Sequence, residues 1–132
     1  MGSEICIRDS NKPATDAAYD AALVECIENI EHVAICAGTH NEKSSALLAQ
    51  LVDEKGIPHD HPHVLFAQLL GMSDHISFNL AHHGYRAAKY LPYGPVKEVL
   101  PYLFRRADEN TSIAGQSSRE VELLRLEVKR RK

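Results

Sequence analysis

Three short strand-like runs, each followed by a segment of helical spacing, constrain this chain's fold more than any other feature. The runs are residues 32–38 (His-Val-Ala-Ile-Cys-Ala-Gly), 64–70 (Val64 to Leu70) and 86–91 (Arg86 to Leu91). The first two are compact and apolar, which predicts buried strands, and the third is a strand candidate. Residues 42–55 then place Leu47, Leu48, Leu51 and Val52 on one helix face, with Gly56 just past the end. Residues 74–83 predict a shorter helix ended by Gly84. Gly94-Pro95 opens another, with Pro95 near its first position, and Pro101 predicts a kink or a late start. A helix over 14–30 precedes the first run, with apolar residues Ala18, Ala21, Ala22, Val24, Ile27 and Ile30, and Thr15 or Asp16 as its cap. After Gly115, Ser117-Ser-Arg-Glu120 reads as a capping box for a basic helix over 118–131. The order is a helix, three strand–helix units and a tail helix. Repeated βα units join parallel strands with helices outside, so the class is α/β. In such folds sites lie at the C-terminal ends of the strands.

Composition narrows the function. A chain of 132 residues with 44% hydrophobic residues can bury one core. Its net charge of −3 leaves no electrostatic footprint for nucleic acid. No apolar run has membrane-spanning length, and no secretory signal is visible. Cys6, Cys26 and Cys36 lack CxxC spacing, which predicts reduced thiols in a cytosolic setting. Residues 1–10 (Met-Gly-Ser-Glu-Ile-Cys-Ile-Arg-Asp-Ser) read as a translated sequencing-library adapter, with Ile5 where methionine is usual. On that reading the biological chain starts at or upstream of Asn11, and 1–10 stand outside the fold.

The strand ends carry the chemistry. The first run ends at Gly38-Thr39-His40-Asn41, the second near Gly71-Met72 and the third at Pro92-Tyr93-Gly94. On the helix after Pro95, offsets of three, four and seven place Tyr102, Arg105, Arg106 and Glu109 on one stripe. Val96, Val99, Leu100, Leu103 and Ala107 fill the adjoining arc, which predicts a helix with one buried side. Two readings of the stripe stand. It is a solvated face with an ion pair, or a pair of guanidinium forks that hold a carboxylate beside a covering ring.

Other polar groups read more plainly. His59-Asp60-His61-Pro62-His63 has alternating histidines but no cysteine or carboxylate set that completes a metal geometry, so no metal is assigned. His82-His83 before Gly84 suits charge complementation at a helix C-terminus. By position alone His40 is a core histidine. Lys129-Arg-Arg-Lys132 is a solvated helix end or a contact for an anionic membrane surface.

Four segments together resemble a known family. Gly38-Thr-His-Asn41, Phe66-Ala-Gln-Leu-Leu-Gly-Met72, Lys89-Tyr-Leu-Pro-Tyr-Gly94 and Tyr102-Leu-Phe-Arg-Arg-Ala-Asp-Glu-Asn110 are similar, in this order and spacing, to the last three units of monofunctional proline dehydrogenases. The resemblance covers residues 11–132 and implies the C-terminal three βα units of a (βα)8 TIM-like barrel plus a terminal helix. It implies FAD as cofactor, L-proline oxidised to pyrroline-5-carboxylate, and a quinone as electron acceptor. It further implies that Thr39, His40 and Asn41 end the sixth barrel strand against the flavin cofactor, with Glu109 also on the cofactor side. Leu69 becomes an apolar wall of the proline pocket and Tyr102 the ring that packs on proline. Arg105 and Arg106 become the carboxylate pair, and the Thr-His-Asn match turns His40 from core to cofactor. The localisation implied is cytoplasmic, peripheral at the inner membrane, or mitochondrial in a eukaryote. The family's early-strand lysine and aspartate, strand-four glutamine and strand-five arginine have no counterpart here. The chain is therefore expected to be part of a larger enzyme, inactive by itself and unable to assemble the flavin site. The alternative is a noncatalytic βα fragment or small-ligand binding module.

Overall fold

The computed structural model describes residues 11–112 and 116–131, with side chains described for 11–106 and 121–131. The elements run α1 (Lys12–Glu28), β1 (Ile35–Gly38), α2 (Glu42–Glu54), β2 (Val64–Leu69), α3 (Asp74–His82), β3 (Ala87–Tyr90), α4 (Val96–Ser112) and α5 (Gln116–Arg130). The strands form one parallel sheet in the order β1-β2-β3. Ile35 pairs with Val64 and Gly38 with Ala67, while Phe66 pairs with Ala87 and Leu69 with Tyr90. The three predicted runs are thus strands, trimmed at their ends. The first loses most, because His32 and Val33 turn back onto Asn29 O before the ladder begins.

Strand alternation divides the sheet into two faces. Ile35 and Ala37 on β1, and Val64, Phe66 and Gln68 on β2, point into the core. α1, α2 and α3 cover this side, supplying Leu23, Ile27, Leu48, Val52, Ile76 and Leu80. Cys36, Gly38, Leu65, Ala67, Leu69, Ala88 and Tyr90 point to the other side and are open or half-buried.

Helix ends deliver the strands. After α2, Gly56 takes φ 64°. Its N–H donates to Asp53 O, and the N–H of Ile57 donates to Val52 O. After α3, Gly84 at φ 84° repeats the pattern, with Gly84 N–H to Ala81 O and Tyr85 N–H to Leu80 O. These are Schellman closures, which need a left-handed residue and bring an apolar residue back onto the last turn. Ile57 and Tyr85 are those residues, and both reach the core.

Several expectations need correction. α1 starts at Lys12, not residue 14, and Asn11 caps it by accepting from Ala14 N–H; Thr15 and Asp16 lie within the helix. Its inward stripe is Tyr19, Leu23, Cys26 and Ile27, and Ala21 and Ala22 face solvent. Pro101 causes no late start, because α4 runs from Val96 with Pro101 within it. The apolar arc of α4 is not buried: Val96 is 71% exposed, Leu100 40% and Leu103 42%. α4 begins beyond the C-terminal end of β3, and the core side of the sheet is already covered by α1 to α3. The side chain of Ala107, the Gly115 break and the Ser117–Glu120 capping box lie outside the described residues. So do residues 1–10, including Cys6.

Several polar groups singled out in the sequence find structural partners. His63 Nδ1 donates to Ile30 O at 2.7 Å, and His61 Nδ1 accepts from His63 N–H. His83 Nδ1 donates to Asn79 O at 2.8 Å, which serves the C-terminal turn of α3. In the tail helix Glu127 accepts from both Arg130 and Arg131. Those bonds hold its carboxyl at about 2. Arg130 and Arg131 stay 71% and 73% exposed, as suits a solvated helix end. No helix of the described residues is long and apolar enough to cross a membrane.

Candidate functional site

The open face of the sheet and the C-terminal ends of its strands meet at one place. The register sets Gly38, Ala67 and Ala88 in a row across all three strands. A Cβ added at Gly38 would meet nothing within 4 Å. Small side chains and open space make a shelf that suits a flat ring system. Leu69 and Tyr90, neighbours in register, stand one step further toward the strand ends.

α4 brings its stripe to this edge. The Tyr102 ring meets the Tyr90 ring edge-on, with centroids 5.9 Å apart. The Arg106 guanidinium carbon lies 5.2 Å from the centroid of the same Tyr102 ring, a cation–π contact. Arg105 is exposed and Arg106 half-buried. The structure therefore brings Leu69, Tyr102 and Arg106 together through Tyr90, a residue to which the sequence reading gave no role. The side chain of Glu109 lies outside the described residues.

The turn after β1 forms the other border. Asn41 N–H donates to Thr39 Oγ1 at 3.0 Å. Asn41 Oδ1 accepts from Lys43 N–H at 3.0 Å and so caps α2. His40 is half-buried, not core, and its Nδ1 hydrogen-bonds Ser73 Oγ at 2.9 Å. Gln68, 2% exposed on β2, donates to Thr39 O at 3.2 Å and accepts from Ser77 Oγ at 2.8 Å. Lys89 donates to Met72 O and pairs with Asp74 at 2.8 Å. Ser73, Ser77 and Lys89 were also missed. Gln68 could have been noticed, because a carboxamide at an inward position of an apolar strand requires partners.

No described group of three or more His, Cys, Asp or Glu residues is arranged to hold a metal ion. Instead, the His59 ring donates from Nδ1 to His83 O at 2.7 Å and from Nε2 to Asp53 at 2.8 Å. It stacks on Tyr85 at 4.0 Å, and the Tyr85 hydroxyl donates to Asp53 at 2.8 Å. This cluster joins the ends of α2 and α3 at the N-terminal side of the sheet, away from the shelf.

Comparison with known proteins identifies the family. A model of the family described as "Proline dehydrogenase" matches residues 4–119. "Proline dehydrogenase 1, mitochondrial" of Homo sapiens is 45% identical over 136 residues, covering 98% of this chain and 22% of that protein. "Hydroxyproline dehydrogenase" of Bos taurus is 42% identical over 122 residues, covering 89% of this chain and 26% of that one. The crystal structure of proline utilization A from Bdellovibrio bacteriovorus, inactivated by N-propargylglycine, superposes with a TM-score of 0.71 at 30% identity. It covers 81% of this chain and 11% of that one. The chain thus spans about a quarter or less of the length of these relatives. With its family profile matched along most of its length, the chain belongs to the proline dehydrogenase family.

Proposed function

We propose that these three βα units are the last three of a (βα)8 barrel that oxidises L-proline to pyrroline-5-carboxylate with FAD. The observation that carries this reading is the cluster of Leu69, Tyr90, Tyr102 and Arg106 at the strand C-termini, beside the shelf of Gly38, Ala67 and Ala88.

The division of labour follows from the side chains. Arg105 and Arg106 bind the substrate carboxylate; each charge-assisted bond is worth about 1.5–3 kcal/mol. Tyr102, Tyr90 and Leu69 cover the apolar ring methylenes and exclude water. Held in this way, the substrate presents one ring face to the shelf, a positional contribution to rate. The cofactor side is the turn Thr39–Asn41. Asn41 Oδ1 is committed to the helix cap, which leaves its amide NH2 as the donor toward a ligand. Glu109 is assigned to the same side from the family resemblance. FAD, when bound, supplies the acceptor for the hydride lost from proline C5. No described residue of this chain is assigned the amine proton.

The further reading is an enzyme that hands its electrons to a quinone, peripheral at a membrane. Relatives named as mitochondrial support a mitochondrial place in a eukaryote. The hydroxyproline relative raises hydroxyproline as a second substrate. The aliphatic wall of Leu69 favours proline modestly, because it offers an added hydroxyl no partner.

The test is anaerobic mixing of a full-length, flavin-loaded enzyme bearing this sequence with each imino acid. Proline should bleach the flavin band, and a soluble quinone should restore it. An intact flavin band at saturating proline would refute the reading. Faster bleaching by hydroxyproline would overturn the substrate preference.

A further inference from the structure

We propose that Ser73 is a positioning residue that holds His40 for the flavin side of the site. The proposal rests on the reading of Thr39–Asn41 as cofactor contacts.

Ser73 occupies the N-cap position of α3, where a serine hydroxyl normally accepts from the first free N–H groups of the helix. Here it makes no side-chain cap bond. Its backbone is left-handed, at φ 51° and ψ 42°, the one non-glycine residue with positive φ among those described. An L-residue bearing a Cβ adopts this conformation at a cost. The hydroxyl is thereby turned from the helix and reaches His40 Nδ1 at 2.9 Å, across 33 residues of sequence. The bond is not solvent-borne, because Ser73 is 4% exposed.

Two further struts fix the same joint. Ser77, one turn into α3, donates to Gln68, and Gln68 donates to Thr39 O, the carbonyl immediately before His40. Lys89 on β3 holds Met72 O and Asp74, on either side of Ser73. The peptide entering His40 and the ring of His40 are therefore each tied to the first turn of α3. A hydrogen bond at Nδ1 fixes the orientation of the ring and so where Nε2 is directed. Ser73 thus acts on a ligand through His40, without touching it.

The experiment measures the FAD dissociation constant of the full-length apoprotein by flavin fluorescence quenching, as a function of pH. The variants are Ser73→Ala, Ser73→Gly and, for reference, His40→Ala. Loss of one hydrogen bond predicts a roughly 2- to 12-fold rise in the dissociation constant for both Ser73 variants. The rise should be equal in the two, although glycine relieves the left-handed backbone. The inflection of the pH profile that is missing in His40→Ala should shift in both. A weakened Ser73→Ala with a wild-type Ser73→Gly would show that the backbone matters and not the hydroxyl, and would overturn the proposal. Wild-type affinity and inflection in both Ser73 variants, with His40→Ala weakened, would overturn the proposal alone. Wild-type FAD affinity in His40→Ala would overturn the cofactor reading of this turn and the proposal with it.

Discussion

The Arg106 guanidinium lies over the Tyr102 ring, 5.2 Å from its centroid, while the same ring makes a T-shaped contact with Tyr90. In the proposed site Tyr102 thus orients the cation assigned to the carboxylate and forms a wall beside it. Tyr102→Phe keeps the ring and its quadrupole; Tyr102→Ala removes both. The alanine variant should weaken proline binding by about tenfold or more, and the phenylalanine variant by a smaller factor, given about 0.5–2 kcal/mol for the cation–π contact and further loss of packing. Equilibrium proline titrations of the two full-length variants check this ordering. Equal affinities would show that the ring has no role beyond α4.

The core on the helix side of the sheet depends on β2. Phe66 is 0% exposed and stands edge-on to Tyr85 at 5.6 Å. Phe66→Ala should destabilise by about 3–5 kcal/mol, whereas Leu124→Ala, on the exposed side of α5, should cost about 0.5 kcal/mol or less. Urea unfolding of both variants tests the contrast.

Stability should depend on pH through His59 and Asp53. The bond to His83 O, then the bond to Asp53, raises the His59 pKa above its ordinary 6.5. Bonds from Tyr85 and then His59 lower the Asp53 pKa below 3.8. Burial, with Asp53 beside it, pushes Tyr85 up to about 12. A raised histidine stabilises fully below its unfolded pKa, and the contribution is lost as pH rises through the folded value. A lowered aspartate stabilises above its unfolded pKa, and the contribution is lost as pH falls through the folded value. The cluster therefore contributes most between pH 3.8 and 6.5. His59→Ala should remove the decline in thermal midpoint on the alkaline side of that window. An unchanged decline in the variant would assign it to another group.

Much of the fold was legible because apolar runs bounded by glycine and proline turns leave few alternatives to buried strands. Val64 and Phe66 had to face a core, and the period of two then exposed Leu65, Ala67 and Leu69 to the opposite side. The stripe of Tyr102, Arg105 and Arg106 was legible from helical spacing alone. The burial of its apolar neighbours was not, because spacing says which residues share a face and nothing about what covers it. Asn11 was missed as a cap because alanines 14, 17 and 18 blur the start of the apolar pattern of α1. Gln68, Ser73 and Ser77 were illegible as a group. Gln68 meets Thr39 and Ser73 meets His40 across 29 and 33 residues, and only the packed sheet closes those distances.

The most direct test of the central claim is proline titration of the flavin absorbance in full-length Arg105→Met and Arg106→Met enzymes. Each lost charge-assisted bond should raise the proline dissociation constant roughly 10- to 150-fold, with flavin content nearly preserved. Lysine at either position should stay defective, since it lacks the planar fork. Wild-type proline affinity in both methionine variants would contradict the carboxylate clamp and return this stripe of α4 to an ordinary solvated face.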